Sequence, residues 1–530
     1  MTKTMDDAKE TSIEPYEVGV PEEFPEDDGE ASIRKGTSAD RKAMWRMGKV
    51  QELRRNFRFV SMFGFTMIVM GTWQWCLSTA QIGLFNGGTA GFIWMFVVCW
   101  AGFITVYLSM AEMGSMAPTS GGQYHWVSEF APPKYQKLLS YLIGWLSVLG
   151  WQTGAAVSAF VSGTQIQGLI ALNNPNYVFQ AWHGTLLTFA VAALNLIFNV
   201  FLAKRLPMVE SVVLVVHVFG FIAIISVLWV MGPITDAHTT FTTFNDGGAW
   251  DNLALSALVG FLAGLGPLLA GDAPVHMSEE LRDASKNLPR AMIWTVMVNG
   301  VMGLVMCITF ASCLGNLEDA LGTTTRQPFL YVFYNATKSL GGASAMGAVV
   351  LFMIVFSNLT TTATASRQLF AFARDQGVPM NKIFSRVSPT WDVPVNALVF
   401  SFVVSCLLAL INLGSVVALN NIATLNIAAN MLSYMVSISC ILRRRILGEP
   451  LLPAKFTLGR FGLAANVTAV LFLIFAFIMS FFPPEPHPSS ETMNWACIVV
   501  GATGIFSAVY YYVKGRHVYV GPVAYVRKLS

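Results

Sequence analysis

Charged residues are scarce in this sequence: Asp, Glu, Lys and Arg together make up 12% of its 530 residues. A soluble domain carries about 25%. Hydrophobic residues make up 54% of the chain, and its mean hydropathy is +0.55. This composition excludes a soluble enzyme of that length and predicts a protein embedded in a lipid bilayer.

Metal-binding and nucleic-acid-binding patterns are also missing. None of the seven cysteines belongs to a Cys-x-x-Cys pair, and all seven lie in or beside apolar stretches. Neither a metal centre nor a disulfide framework is therefore supported. The net charge of +3 does not come from a basic groove interleaved with aromatic residues, so we expect no nucleic-acid partner. We likewise expect no cofactor.

Long apolar runs, in contrast, recur along the chain. Each is about as long as the ~20 residues that a membrane-spanning helix needs. They predict twelve spans, at residues 60–84, 90–111, 139–171, 181–202, 208–231, 252–277, 291–313, 343–372, 394–413, 419–442, 461–482 and 494–513.

Polar stretches flank these spans. Residues 1–56 contain a run of acids and then a run of bases, which predicts a disordered cytosolic arm. The charged start lacks the apolar core of a signal peptide, so span 1 is expected to act as an uncleaved insertion signal. Residues 516–530 are predicted to form a cytosolic tail.

The distribution of basic residues predicts the orientation of the spans. Short loops rich in Lys and Arg stay in the cytosol. With the N-terminus inside, Arg326 and Lys338 are the two of 33 basic residues that fall in outward loops. We therefore expect a multi-pass protein with both termini cytosolic, and favour the plasma membrane over the vacuolar membrane. Asn335, in an outward loop, is the one sequon open to glycosylation.

Two spans contain interruptions. Span 1 has Gly71 followed by polar residues, and span 6 has Gly266-Pro267, Gly271 and Asp272, the one acid placed deep within an apolar stretch. Irregular backbone in a membrane persists only where it is packed in protein or lines a polar cavity. Broken helices at matching positions of two halves mark the binding site of inverted-repeat transporters. The alternative is that glycine and proline merely kink the two helices.

Four motifs carry a resemblance to a known family. They are Gly71-Thr72-Trp73, the stretch Pro118–Trp126 (similar to PxSGGxYxW), the stretch Asp272–Glu280 (similar to DAxxHxxEE, followed by Ala284–Ala291) and the stretch Ala365–Pro379 (similar to ASRxxxAxARDxxxP). Together they resemble the amino acid-polyamine-organocation superfamily, in particular its fungal amino acid/choline transporter branch. The resemblance covers about residues 50–515, although Gln74 stands where several relatives would carry Glu.

The resemblance implies an all-α membrane protein with a LeuT-like 5+5 inverted repeat plus two extra helices. Within a transporter domain at 57–515, repeat one covers about 60–231, repeat two about 252–442, and spans 11 and 12 about 461–513. Spans 1 and 6 are expected to be discontinuous. The implied function is secondary active transport of a small amino-containing solute, such as an amino acid, GABA or choline, by alternating access and proton symport rather than any enzymatic activity.

The candidate substrate-binding residues surround the two interruptions. Free amides at the start of the outer half of span 1 could seat a carboxylate, and indole faces could hold an ammonium group. The set comprises Val69, Met70, Gly71, Thr72, Trp73, Trp151, Gln152, Gly266, Leu268, Ala270, Gly271 and Asp272. The alternative is that the glycines and tryptophans serve only helix packing.

A second set is predicted to couple or gate transport. Asp272 is expected to cap the inner half of span 6, and it could also bind the coupling proton or a substrate ammonium. The hydroxyl-rich run in span 8 could hold sodium or bond back to its own helix. The acidic pair at 279–280 and a nearby arginine could latch an inner gate or simply be solvated. The set comprises Asp272, His276, Glu279, Glu280, Ser357, Asn358, Thr361 and Arg367.

Three other functions compete with transport. An intramembrane aspartyl protease needs a second membrane aspartate, and Asp272 has none in the sequence. A channel is disfavoured because twelve dissimilar spans with two interruptions indicate a closed, asymmetric site. A nutrient sensor on a transporter fold stays open as the alternative.

Overall fold

The computed structural model describes residues 36–414, 416–490 and 492–525. Within these ranges twelve helical segments are long and apolar enough to cross a membrane, which confirms the predicted number. Spans 1 to 12 are Phe59–Phe85, Gly88–Met116, Gln136–Asn173, Ala181–Phe201, Ala203–Met231, Leu253–His276, Ala284–Ser312, Leu340–Arg374, Val395–Leu413, Asn421–Ile446, Gly459–Met479 and Ala496–Val518. The largest difference from the sequence prediction is the start of span 7, which lies at Ala284 instead of residue 291.

Span 1 is interrupted where predicted. Its halves, span 1a (Phe59–Met70) and span 1b (Thr72–Phe85), meet at Gly71. Gly71 has φ +42° and ψ +48°, a left-handed conformation that glycine adopts without the steric cost of a Cβ atom. Unlike a simple kink, this conformation ends one helix and starts another.

Span 6 breaks slightly later than predicted. Its first half, span 6a, continues to Leu268 with Pro267 inside the helix, and span 6b begins at Ala273. Proline removes one backbone donor four residues after Ala263. The hydroxyl of Thr79 in span 1b lies within hydrogen-bonding distance of the Ala263 carbonyl, at 3.1 Å, and of the Trp75 carbonyl, at 3.0 Å. The helix therefore tolerates Pro267, and the chain turns at Ala270, which has φ +69°.

The two interrupted helices lie at the centre of the bundle. Span 1a packs against spans 5, 7 and 8, span 1b packs against spans 6a and 7, and span 3 packs against spans 8 and 10. We call the end that carries the loops 117–135, 277–283, 375–394 and 447–458 the basic end. The opposite end carries the loops after spans 1, 5, 7 and 11.

The prediction of a disordered arm is wrong for residues 36–56; residues 1–35 lie outside the described residues. A helix, Ser38–Arg46, begins with a capping box between Thr37 and Asp40. Asp40 then accepts hydrogen bonds from the backbone of Asp283 (2.9 Å) and Ala284 (3.0 Å), at the start of span 7. The residues that make these contacts lie 243 and 244 positions apart in the sequence. The composition of residues 36–56 alone could therefore not reveal that they are ordered.

Candidate functional site

A cavity of about 570 Å³ lies beside the two helix breaks, between spans 1, 3, 6, 8 and 10. Six of the predicted residues line it: Val69, Met70, Trp151, Gly266, Ala270 and Thr361. From there the cavity reaches Asn86, Pro484 and Thr492 in loops of the opposite end. The described structure is therefore one in which the site communicates with the opposite end.

Amide and indole groups form much of the polar lining. Span 10 contributes Asn426 and Asn430, span 1b contributes Trp75, and span 3 contributes Trp151. Asn430 is 4% exposed, and its Oδ1 atom has no hydrogen-bond partner in the described structure. Sequence reasoning missed both asparagines, although two amides one helical turn apart in an apolar span were a usable signal.

The lining is uncharged throughout the described residues. Span 3 meets span 10 through glycine, because a Cβ atom at Gly150 would lie 2.6 Å from Asn430 Oδ1, and one at Gly154 would lie 3.0 Å from Asn426 Oδ1. The two glycines thus let the amides of span 10 approach the backbone of span 3 closely. A solute in this cavity would meet amides, hydroxyls and indoles.

The break in span 6 is held by a tyrosine that sequence reasoning missed. The Tyr107 hydroxyl donates to the Leu268 carbonyl at 2.7 Å and accepts from the Gly271 N–H at 3.0 Å. A Cβ atom at residue 271 would lie 2.5 Å from the Tyr107 ring. Leu268 and Gly271 therefore shape the break, while Gly266 and Ala270 face the cavity.

The break in span 1 is tied to spans 6 and 8. Thr72 donates to the Pro267 carbonyl at 3.2 Å. Ser357 of span 8 donates to the Val69 carbonyl at 3.0 Å and accepts from the Trp75 indole N–H at 3.2 Å. Thr72 is thus a structural tie rather than a cavity residue.

Two predicted cavity residues point elsewhere. Trp73 is fully buried, with its ring centroid 5.9 Å from that of His217 and 6.1 Å from that of Phe221, both in span 5. Gln152 donates to the Ala365 carbonyl of span 8 at 3.4 Å. Their assignment to the cavity wall is wrong because one residue along a helix rotates a side chain by about 100°. Trp75 takes the place predicted for Trp73.

The hydroxyl run of span 8 mostly bonds to its own helix. Thr361 donates to Ser357 O at 2.7 Å, Thr362 to Asn358 O at 2.9 Å, and Thr364 to Thr360 O at 3.0 Å. Of the predicted coupling residues in span 8, Ser357 connects this span to span 1. Thr361 borders the cavity, and the Asn358 side chain lies within hydrogen-bonding distance of the Thr362 hydroxyl. This arrangement corresponds to the alternative in which the hydroxyls satisfy the helix backbone.

Asp272 occupies the N-terminal position of span 6b, yet its side chain makes no capping hydrogen bond. The predicted cap is wrong because the carboxylate turns toward other spans. It accepts from Gln123 Nε2 at 2.6 Å and from the Tyr434 hydroxyl at 2.5 Å. His276 Nε2 lies 3.5 Å away. Asp272 is fully buried on the basic-end side of the break, outside the cavity lining.

His276 connects this cluster to the cavity. Its Nδ1 atom lies 2.9 Å from the Ser120 carbonyl, which can only accept, so Nδ1 carries a proton. A neutral ring would then direct the Nε2 lone pair at the Asp272 carboxylate, an unfavourable contact. A proton on Nε2 or on the carboxylate removes this repulsion, and Nε2 makes no hydrogen bond in the described structure. The other side of His276 meets Trp151, whose ring centroid lies 5.4 Å away and which lines the cavity.

Asp272 is not the only acid buried within a span, contrary to expectation. Glu112 in span 2 is 1% exposed and pairs with Arg445. Glu210 in span 5 is fully buried and hydrogen-bonds to Thr360. Both stand so near the span ends in the sequence that hydropathy assigns them to the membrane boundary.

Buried ion pairs join span 8 to the loop after span 6 at the basic end. Arg374 donates to both carboxylate oxygens of Glu279, at 2.7 and 2.8 Å, and Arg367 donates to Glu280 at 2.8 Å. Glu279 is fully buried and Glu280 is 5% exposed. The alternative of plain solvated loop charges does not hold for these pairs.

Further contacts hold Glu279 in place. Its carboxylate accepts from the Ser120 N–H at 3.1 Å and the Thr119 hydroxyl at 3.2 Å, and Lys49 pairs with Asp375 nearby. Burial alone would raise the pKa of Glu279, but the charge and hydrogen bonds of Arg374 and the charge of Lys49 outweigh it and hold the pKa at about 2. Glu279 therefore stays ionised throughout the physiological range.

Comparison with known proteins gives the family. The model of the amino acid permease family matches residues 57–503, which is most of the chain. The chain belongs to the amino acid permease family. The predicted family, the helical fold class and the transport function are thereby confirmed, and the permease is an integral multi-pass membrane protein.

Individual relatives carry more specific names. A provisionally named amino acid/polyamine transporter of Macrophomina phaseolina is 30% identical to the permease, over 82% of this chain and 96% of its own. The choline transporter of Saccharomyces cerevisiae is 27% identical, over 88% and 82%. The GABA-specific permease of the same yeast is 27% identical, over 91% and 86%.

A solved structure supports the fold. The permease superimposes on the crystal structure of a manganese transporter of Eremococcus coleocola with a TM-score of 0.50, over 98% of this chain and 99% of that one. The two chains share 13% sequence identity. The likeness shows a common arrangement of helices and carries no information on the solute.

Proposed function

We propose that the permease moves a small solute with one amino or quaternary ammonium group, such as an amino acid, GABA or choline, by alternating access. The observation that carries this proposal is the cavity beside the two helix breaks, which reaches the opposite end while ion pairs close the basic end. Transport requires the reverse state too, with the basic end open. We propose no enzymatic step for this chain.

The uncharged lining favours a solute with a single cationic group. The indoles of Trp75 and Trp151 could receive an ammonium group, worth ~0.5 to 2 kcal/mol. A polyamine would bring several charges into a cavity without carboxylates, and unpaired buried charge is strongly unfavourable. A zwitterion or a monocation fits the lining better.

Proton coupling is supported by the cluster around Asp272. The contact of 3.5 Å between Asp272 and His276 calls for a proton on one of the two groups, and Trp151 links that pair to the cavity. We propose the proton as the coupling ion, with sodium as the alternative. We also propose that the basic end is cytosolic, that both termini lie there, and that the permease acts in the plasma membrane.

An uptake panel tests the proposal. The purified full-length permease in proteoliposomes should take up labelled amino acid, GABA or choline faster at pH 5.5 than at pH 7.5, with no need for sodium. Spermidine should compete poorly. Gly71→Leu should reach the membrane and yet transport nothing, because a side chain at this left-handed position would disrupt the break.

Specific outcomes would overturn each part. Strong competition by spermidine would refute the single-charge solute, and a strict sodium requirement would refute the proton. Saturable binding without uptake of any of these solutes would favour the alternative of a nutrient sensor.

A further inference from the structure

Glu210 is a buried acid for which the transport cycle described above has no use. It lies in the second turn of span 5 and is fully buried. Its Oε1 atom lies 3.0 Å from the Thr360 hydroxyl, and its Oε2 atom has no hydrogen-bond partner in the described structure. No cation pairs with it among the described residues, whereas Glu112, Glu279 and Glu280 all face arginine.

The hydroxyl of Thr360 fixes the position of a proton. Thr360 Oγ1 lies 2.7 Å from the Phe356 carbonyl and 3.0 Å from Glu210 Oε1. A hydroxyl has one proton, and a carbonyl can only accept. The proton therefore goes to Phe356, since otherwise two bare oxygens would lie 2.7 Å apart. The contact with Glu210 then needs a proton supplied by the Glu210 carboxyl itself.

Few charged groups surround this carboxyl. Span 1a has no titratable side chain, and on the buried face of span 5 the next such group is His217, two turns away. The remaining charged or titratable groups of the elements packed against span 5 stand nearer the helix ends or have partners of their own: Lys204 (with Asp392), Arg205, Lys286, Arg290, Cys307, Tyr331, Tyr334, Arg367 (with Glu280) and Arg374 (with Glu279). A buried carboxylate without a countercharge is strongly unfavourable, which agrees with a protonated Glu210.

Glu210 also lies against the part of the protein that must move. A Cβ atom at Gly64 of span 1a would lie 3.1 Å from the Glu210 backbone oxygen, so span 1a rests directly on this turn of span 5. Opening the basic end requires span 1a to swing about Gly71. That motion would uncover Glu210 to water, where a carboxylic acid ionises at neutral pH.

We propose that Glu210 is a proton-binding site of this permease, distinct from the Asp272–His276 pair, that holds its proton while the basic end is closed and releases it when span 1a moves. The proposal rests on the proposed alternating access. It does not depend on the identity of the solute, so it can be tested without one.

The test follows the opening of the basic end at several pH values. Ser120 is fully buried at the basic end, and its hydroxyl has no hydrogen-bond partner in the described structure. Ser120→Cys therefore introduces a reporter thiol without removing a side-chain hydrogen bond. The full-length permease, carrying Cys497→Ser to remove an exposed thiol, is labelled with a membrane-impermeant maleimide in vesicles with the basic end outward. The labelling rate at each pH is divided by the labelling rate of the unfolded protein at the same pH.

Labelling should speed up with rising pH, by up to about tenfold per pH unit, because opening releases one proton. Glu210→Gln mimics the protonated acid, so it should label at pH 8 as slowly as the parent at pH 5. Glu210→Asp should restore the pH dependence with a shifted midpoint, which shows that a poorly folded Gln variant is not the cause. The control His217→Gln should behave like the parent.

Two results would overturn the proposal. One is a Glu210→Gln variant that keeps the parental pH dependence, which would place the proton elsewhere. The other is fast labelling of that variant at every pH, which would give Glu210 a purely structural role. Neither result bears on the uptake panel, so failure of this proposal is distinguishable from failure of the proposed transport.

Discussion

Arg374→Ala should shift the permease toward the state with an open basic end. Arg374 is the one arginine that donates to both oxygens of the fully buried Glu279 in the described structure. Its removal leaves a buried carboxylate with only the Thr119 hydroxyl and the Ser120 N–H as direct donors. In the open state the Glu279 carboxylate would be hydrated, so the loss of Arg374 destabilises the closed state alone.

The magnitude follows from the burial of the pair. Removing one partner of a buried ion pair costs about 3 to 5 kcal/mol. The two remaining donors and the nearby Lys49 place the expected value near the lower limit, about 3 kcal/mol. At about 1.4 kcal/mol per factor of ten, the ratio of open to closed protein should rise by roughly 100-fold or more.

The Ser120→Cys reporter measures this ratio, and the chain offers a matched control. Arg443 pairs with Glu449 at the same end, but their side chains are 40% and 37% exposed. Such a pair contributes about 0 to 1 kcal/mol, so Arg443→Ala should change the labelling rate by less than about fivefold. Equal labelling of the two variants would refute the idea that the Glu279–Arg374 pair latches the basic end.

Other substitutions test the remaining parts of the site. Gly71→Ala should lower uptake at equal surface expression, since a left-handed alanine costs about 1 to 2 kcal/mol. Tyr107→Phe leaves two backbone groups at the span 6 break without a hydrogen-bond partner, which costs about 1 to 3 kcal/mol of stability each. This variant should therefore have a lower thermal midpoint of unfolding. Trp151→Leu should weaken competition by a cationic solute about 2- to 30-fold. Because the pKa of Glu279 is depressed to about 2, its pairing stabilises the protein above pH 4.5 and is lost only as the pH falls through 2; Glu279→Gln should therefore destabilise the permease equally at pH 5 and pH 8.

The number of spans and the two interruptions could be predicted from the sequence because both depend on local properties. A membrane requires about 20 apolar residues in a row, and the backbone cannot break within it unless glycine or proline allows a new direction. Even so, Pro267 did not mark the end of its helix. The hydroxyl of Thr79 lies within hydrogen-bonding distance of the carbonyl that lost its donor, and Thr79 precedes Pro267 by 188 residues in the sequence.

The orientation of side chains around each helix could not be predicted in the same way. Trp73 and Trp75 differ by two positions, yet one packs against span 5 and the other lines the cavity. Which direction faces the cavity depends on how span 1b is seated on spans 6a and 7. The same reason explains why Tyr107 and Asn430 were missed, since their roles arise from spans far apart in the sequence.

Span 1a lies between two buried acids that have different surroundings. On one side it packs against span 6b, which begins beside Asp272, where tyrosine, glutamine and histidine surround the carboxylate. On the other side it rests on Glu210, which has a single hydroxyl contact. A swing of span 1a about Gly71 would admit water to Glu210. Opening of the basic end and release of the Glu210 proton would then be one event, and a solute that stabilises the closed state would retain that proton without touching Glu210.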